Sequence, residues 1–227
     1  MKGLDFMKKI PTLFKRVIEG HKIVEVLPEV TQGCEGALTG ELMPTVKIDG
    51  SCCAIINGKF YKRYDAKKGR GIPENAIKCQ EDADPVTGHL PCWVTVDENN
   101  ASDKWFIEAY NNFNTGNKKF KYYDNNKNII GIDLHGFTHD NKTFEAIGKH
   151  FQGNPYNLDF DILVPHGSII LRTNACEEVI TFEGIKKFLT DNYIEGLVYW
   201  DISNNKPICK IKRTDFGFEW NGKNTKR

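Results

Sequence analysis

Two six-residue runs, SCCAII (51–56) and KFYKRY (59–64), flank Asn57-Gly58. That pair is the preferred centre of a two-residue type I′ hairpin turn. The register such a turn imposes sets Ile56 opposite Lys59, Cys52 opposite Arg63 and Ser51 opposite Tyr64, bringing Arg63 beside the segment just before residue 51. Farther along, Thr181 precedes FEGIKKFLTDN, where Phe182, Ile185, Phe188 and Leu189 recur at helical spacing. Two strand-like runs follow, IEGLVYWD and ICKIKR, separated by Ser203-Asn204-Asn205-Lys206-Pro207. Strands around a helix in this order predict an α+β domain with a sheet-centred core. The polar stretch Asn111 to Asn128 keeps Phe113, Phe120, Tyr122 and Tyr123, and reads as an elaborated surface loop or lid. With no internal repeat and no low-complexity linker, one domain over 1–227 is expected.

Composition narrows the function classes. The 227 residues are 40% hydrophobic and 27% charged, with 31 Lys and Arg against 30 Asp and Glu. A net charge of +1 argues against a polybasic nucleic-acid binder, while leaving room for an enzyme whose positive charge is gathered on one face. No run approaches the roughly 18 apolar residues of a membrane span, so no membrane partner is expected. Charges at Lys2, Asp5, Lys8 and Lys9 interrupt the N-terminus where a secretory signal needs a continuous apolar stretch. Seven cysteines with no CxxC suggest reduced thiols in the cytoplasm or nucleus, and adjacent Cys52 and Cys53 point to opposite faces of a strand. His135-x3-His139 has metal-like spacing but lacks a companion Cys pair, and Gly136 breaks any helix that would align the rings.

The candidate chemistry is spread along the chain. Lys47-Ile48-Asp49-Gly50 follows the apolar approach Met43–Val46. Alone, this motif is equally what a surface turn after a strand looks like. Glu195 lies in the buried-looking run 194–200, and Glu145 sits between Phe144 and Ile147. Lys210 and Lys212, two apart in a strand, project to one face. A solvated strand face accounts for those lysines singly, and a strand-edge carboxylate for Glu145; their order along the chain is the stronger signal.

That order resembles the motif set of the covalent nucleotidyltransferases, which include ATP-dependent ligases and mRNA capping enzymes. In detail, KIDGSCC, KRYD, FEAIGKHFQGNPY, LVPHGS, IEGLVYW and CKIKR…FGFEW are similar to the single-domain 5′–3′ RNA ligase family known from vertebrates and viruses. The likeness runs from about Thr45 to Trp220 and thins through 72–140. It implies an antiparallel-sheet-centred nucleotidyltransferase domain of ATP-grasp-like adenylation type. Two features depart from the wider superfamily. Cys52 stands where an Arg usually follows the motif glycine, with Arg63 across the hairpin from it. The 15 residues after Lys212 are too few for a C-terminal oligonucleotide-binding barrel, which disfavours a capping enzyme.

The resemblance implies an ATP-dependent ligase using Mg²⁺ or Mn²⁺ and acting on RNA with 5′-phosphate and 3′-hydroxyl ends, as a monomer by default. Lys47 becomes the nucleophile, forming a lysyl-AMP intermediate. Its amine must shed a proton to attack, and neighbouring cations favour that. Lys210 and Lys212 would hold the α-phosphate. Val46, Asp49, Gly50, Arg63, Glu145 and Glu195 are the nucleotide-contacting candidates. Glu195 and Glu145 are also the metal candidates, with a ribose contact as the other role for Glu145. His166 matches a family position without an assigned role. Lysines 62, 67 and 68 with Arg70, and lysines 118, 119 and 121, are either an RNA track or ordinary solvated loops. Rival readings are a polynucleotide 5′-adenylyltransferase, a DNA-nick ligase, or a non-catalytic RNA-binding module.

Overall fold

The computed structural model describes residues 8–20, 22–85, 87–121, 129–130 and 142–221. The first strands are β1 (Phe14–Glu19), β2 (Lys22–Val30), β3 (Met43–Lys47), β4 (Ser51–Ile56), β5 (Lys59–Ala66), β6 (Ile77–Lys78) and β7 (Leu90–Thr95). After them come β8 (Ile129–Ile130), β9 (Lys142–Gly148), β10 (Asp161–Pro165), β11 (Ile170–Leu171), β12 (Gly196–Asp201) and β13 (Lys206–Lys212). Among the described residues four α-helices are interspersed: α1 (Gly36–Thr39), α2 (Lys104–Thr115), α3 (Thr173–Glu178) and α4 (Phe182–Asp191). Antiparallel sheets with few helices make this a mixed α and β protein, as an α+β reading requires. The contacts divide the chain into two compact units, and the chain passes from one to the other several times.

Of the described residues the first unit holds 8–9, 49–85, 87–120 and 142–166, and it contains a six-stranded sheet, β10-β9-β4-β5-β7-β6. The Asn57-Gly58 turn forms as the sequence requires. Both residues are left-handed, at φ 50° and 71°, and the hairpin pairs Ile56 with Lys59 and Cys53 with Lys62. Cys53 is fully buried and Cys52 half-buried, so the adjacent thiols do face opposite sides of β4. On its other edge β4 pairs with β9, setting Cys52 opposite Glu145, while β10 sets Val164 opposite Glu145. Helix α2 packs on β9 and β10, burying Ala109 and Phe113. It extends to Thr115, so residues 111–115 of the expected loop are helical instead. Phe113 explains this: it stacks edge-on against Phe144 of β9, and that apolar contact holds the last turn of the helix on the sheet. Residues 116–121 are irregular, and the remainder of that stretch lies outside the described residues, as do His135 and His139.

Of the described residues the second unit holds 10–20, 22–48, 121, 129–130 and 167–221, with a five-stranded sheet β13-β12-β3-β11-β8 and the β1-β2 ribbon. Helix α4 begins where its sequence signal lies. The Thr181 side chain accepts from Gly184 N at 3.0 Å, and Ile185, Phe188 and Leu189 are buried. Strand β13 starts two residues earlier than the polar run suggested, because Lys206 and Pro207 pair with Asp201 and Trp200. All seven cysteines are free thiols. Among the described residues no helix is long and apolar enough to cross a membrane.

Candidate active site

The lysines of the second unit owe their arrangement to register. Gly196 of β12 pairs with Lys47 of β3 on one side and Lys212 of β13 on the other. One step along, Val198 pairs with Thr45 and Lys210. Alternation in strands therefore puts Lys47, Lys210 and Lys212 on one face, with buried Cys209 and Ile211 on the opposite face. Between Lys47 and Lys212 the row carries only a glycine. It has to: a Cβ there would collide with the Ile211 carbonyl and come within 2.8 Å of Lys212 Cα. The missing side chain keeps open the strip between two lysines whose strands lie roughly 9–10 Å apart.

Glu195, immediately before β12, reaches across to this face. Its carboxylate accepts from Lys47 Nζ at 2.6 Å, with side-chain exposures of 21% for the lysine and 12% for the acid. The chain there is held by Arg213 N, which donates to the Glu195 carbonyl at 2.8 Å. The Lys210 ammonium is disfavoured by burial first, then by the charges of Lys47, Lys212 and Arg16, with Glu195 opposing. Its pKa falls to about 8. Sequence reasoning missed Arg16 and Asp215 altogether. Asp215 accepts from Lys212 N at 2.8 Å and from Arg16 Nη2 at 2.7 Å, clamping the end of β13. No local pattern could have announced that pairing, since the partners are 199 residues apart.

Val46 is buried, its backbone N–H donating to the Ile169 carbonyl at 2.8 Å. Asp49 and Gly50 belong to the first unit. Asp49 N donates to the Tyr156 hydroxyl at 2.7 Å, and Tyr156 is a third residue the sequence reading passed over. At Gly50 a Cβ would strike the Ala146 carbonyl and approach Ile147 Cγ2 to 2.8 Å, so close packing against β9 alone requires glycine there.

The first unit also gathers Arg63, Cys52, Glu145 and His166. Arg63 Nε donates to Asp65 at 3.0 Å, and its positive charge acts on the Cys52 thiol. Burial, then the neighbouring Glu145 charge, pushes the Cys52 thiol well above its usual pKa. His166 Nε2 lies 3.3 Å from Glu145 Oε1, and its Nδ1 is 2.8 Å from Thr143 Oγ1. The other carboxylate oxygen, Glu145 Oε2, is buried with no hydrogen-bond partner among the described residues. Of the lysines considered for an RNA track, Lys62 is ion-paired to buried Asp103, whereas Lys67, Lys68, Lys118, Lys119 and Lys121 are exposed.

Residues 62–227 match the family model described as RNA ligase 1. The chain belongs to the RNA ligase 1 family. The matched segment includes Arg63, Glu145, Glu195, Lys210 and Lys212, and begins after Lys47, Asp49 and Gly50. Among proteins named RNA ligase 1, that of Pongo abelii is 25% identical over 227 aligned residues, covering 78% of this chain and 68% of the relative. That of Danio rerio is 28% identical over 224, covering 78% and 67%. That of Rattus norvegicus is 24% identical over 272, covering 94% and 82%.

Proposed function

We propose that this protein is an ATP-dependent RNA ligase that joins 5′-phosphate and 3′-hydroxyl ends, on a nucleotidyltransferase domain of the ATP-grasp-like adenylation type. The observation that carries the reading is the Lys47 amine held at 2.6 Å by Glu195 on a sheet face shared with Lys210 and Lys212.

In the first step the neutral Lys47 nitrogen attacks the α-phosphorus of ATP. A P–N bond forms, the P–O bond to the β-phosphate breaks, and pyrophosphate leaves with the electron pair. The proton shed by the nitrogen passes to the Glu195 carboxylate and on to solvent. Lys210 and Lys212 stabilise the charge that builds on the α-phosphoryl oxygens, and do so more strongly where burial excludes water. Gly196 keeps the strip between lysines free for a phosphoryl group. AMP then moves to an RNA 5′-phosphate, forming a P–O–P bond as the P–N bond breaks. The RNA 3′-hydroxyl displaces AMP, leaving a phosphodiester and releasing the hydroxyl proton.

Mg²⁺ or Mn²⁺ suits the donor set around Glu195, which is a hard carboxylate that can share an ion with phosphate oxygens and water. Bound there, the metal would supply charge neutralisation for the triphosphate. Glu145 has a thiol and an imidazole as neighbours, donors that magnesium avoids, so we assign it the ribose contact and Arg63 a phosphate or ribose contact.

The test is labelling with α-labelled ATP and Mg²⁺ followed by denaturation, alongside ligation of matched RNA and DNA ends. Protein label that survives denaturation and alkali, is released by acid and is not supplied by GTP, with joining of RNA, is expected. Label without end joining marks a 5′-adenylyltransferase, and RNA binding with neither label nor joining marks a binding module.

A further inference from the structure

The loop from β9 to β10 carries Lys149 and His150, neither of which the chemistry above uses. The His150 imidazole lies flat on Trp105 of α2, with ring centroids 3.4 Å apart and planes inclined by 4°. The Lys104 ammonium sits 4.1 Å from the same indole centroid. A ring stacked flat at 3.4 Å leaves no room for it on that side, so it takes the other face, in a cation–π contact. Both faces of Trp105 are thus occupied, and the outward member of the stack is His150, whose side chain is 25% exposed. Asp161, fully buried, fixes that ring: Oδ2 lies 2.6 Å from Nδ1, and Oδ1 accepts from His150 N at 3.0 Å. Asn112 Nδ2 donates to the Asp161 carbonyl at 2.9 Å, tying α2 to the same strand.

We propose that a single-stranded RNA segment lies across this face of the first unit, with an unpaired base stacked on His150 and phosphates met by Lys104, Lys118 and Lys149. The identity of the strand rests on the ligase reading. Lys118 Nζ lies 5.1 Å from the Phe160 ring centroid, and Lys149 N donates to the Phe160 carbonyl at 3.4 Å, so both lysines belong to one patch. Over α2, residues 116–120 and the loop 149–160, exposed Lys104, Lys118, Lys119 and Lys149 outnumber the acids, Glu108 and Asp159. The patch also lies where an RNA end is needed. Ser51 pairs with Ala146 and Gly148 with Asp161, so β9 runs out at the end of the sheet where Asp49 and Gly50 lead into β4. Tyr156 of the same loop accepts from Asp49 N at 2.7 Å.

The chemistry selects the partner. Every base offers a π face, so a preorganised aromatic ring binds unpaired nucleotides without reading their sequence, and a duplex keeps those faces stacked inward. Lysines on flexible stems suit phosphates as point charges. Holding the ring in place beforehand lowers the ordering cost of binding.

The test is binding of a single-stranded RNA oligonucleotide to full-length Lys47→Ala protein without ATP, which separates this surface from the covalent chemistry. Trp105 is half-buried whereas Trp93, Trp200 and Trp220 are buried, so RNA should quench an emission that Trp105→Phe removes. His150→Ala should weaken binding about 5–100-fold, the scale of one lost base stack, with an unchanged salt dependence. Lys118→Ala and Lys149→Ala, at exposed positions, should each lower the slope of log affinity against log salt by about 0.7. Lys67→Ala with Lys68→Ala should leave binding as it was. Because His150→Ala strands the Asp161 carboxylate, the double variant His150→Phe with Asp161→Asn, a ring without buried charge, should restore affinity. Parent-like RNA binding by His150→Ala, Lys118→Ala and Lys149→Ala overturns the surface alone. A parent chain that binds no RNA overturns the ligase reading with it, and equally tight binding of polyglutamate would mean that this face takes an acidic peptide instead.

Discussion

The two units solve opposite electrostatic problems on similar antiparallel sheets. In the second, three lysines share one face with the Glu195 carboxylate, and burial, reinforced by the neighbouring like charges, drives the Lys210 pKa down to about 8. In the first, a carboxylate lies among a thiol, an imidazole and a guanidinium, with one oxygen buried and without a hydrogen-bond partner among the described residues. An excess of positive charge suits an anion such as a phosphate, whereas a carboxylate beside soft donors suits a cation or a hydroxyl. The register of a few strand pairs creates both, and a glycine beside each is obligatory for packing: Gly196 against β13 and Gly50 against β9.

The largest expected effect breaks this comparison at Lys47. Lys47→Ala should abolish joining of RNA 5′-phosphate ends while still sealing an RNA end supplied already adenylylated, as read on a denaturing gel. Loss of both activities would mean that the lysine serves the fold or the last step instead. Next, Lys212→Ala should slow protein adenylylation about 10²–10³-fold, the scale of removing one preorganised charge donor from a transition state. Single-turnover labelling measures this, and Arg63→Ala provides the comparison from the first unit.

A smaller effect tests the Lys210 shift, which burial and the neighbouring cations produce together. Its folded-state pKa of about 8 lies below the ordinary 10.5. Between those values the unfolded chain binds more protons than the folded one, so this residue makes stability rise with pH across that window. The penalty is complete below pH 8 and gone above 10.5. Lys210→Met should therefore raise the thermal midpoint at pH 7, with the gain shrinking as pH climbs through 8. A gain independent of pH would assign it to packing. Smallest is Thr181→Ala, which removes the N-cap of α4 and should cost about 1 kcal/mol in denaturant unfolding.

What the sequence disclosed follows from how local each feature is. The Asn57-Gly58 turn, the Thr181 cap and the shared face of Lys210 and Lys212 depend on neighbours in the chain, and each is visible in a short window. Residues 111–115 escaped because Asn-rich composition argues for a loop, while a single ring, Phe113 on Phe144, secures the helix from outside the window. The order of motifs gave Glu195 and Glu145 as candidates, yet nothing local said that Glu195 would lie on Lys47 or Glu145 on His166. Arg16 with Asp215, and Tyr156 with Asp49, are invisible for the same reason: each is a single long-range contact without periodicity.

The central claim concerns one nitrogen, and peptide mass spectrometry after incubation with ATP and Mg²⁺ examines it most directly. The account predicts one adenylate per chain, carried on the peptide containing Lys47 and lost under conditions that cleave a phosphoramidate. Adenylate found on Lys210, on Lys212 or on no residue at all would contradict it.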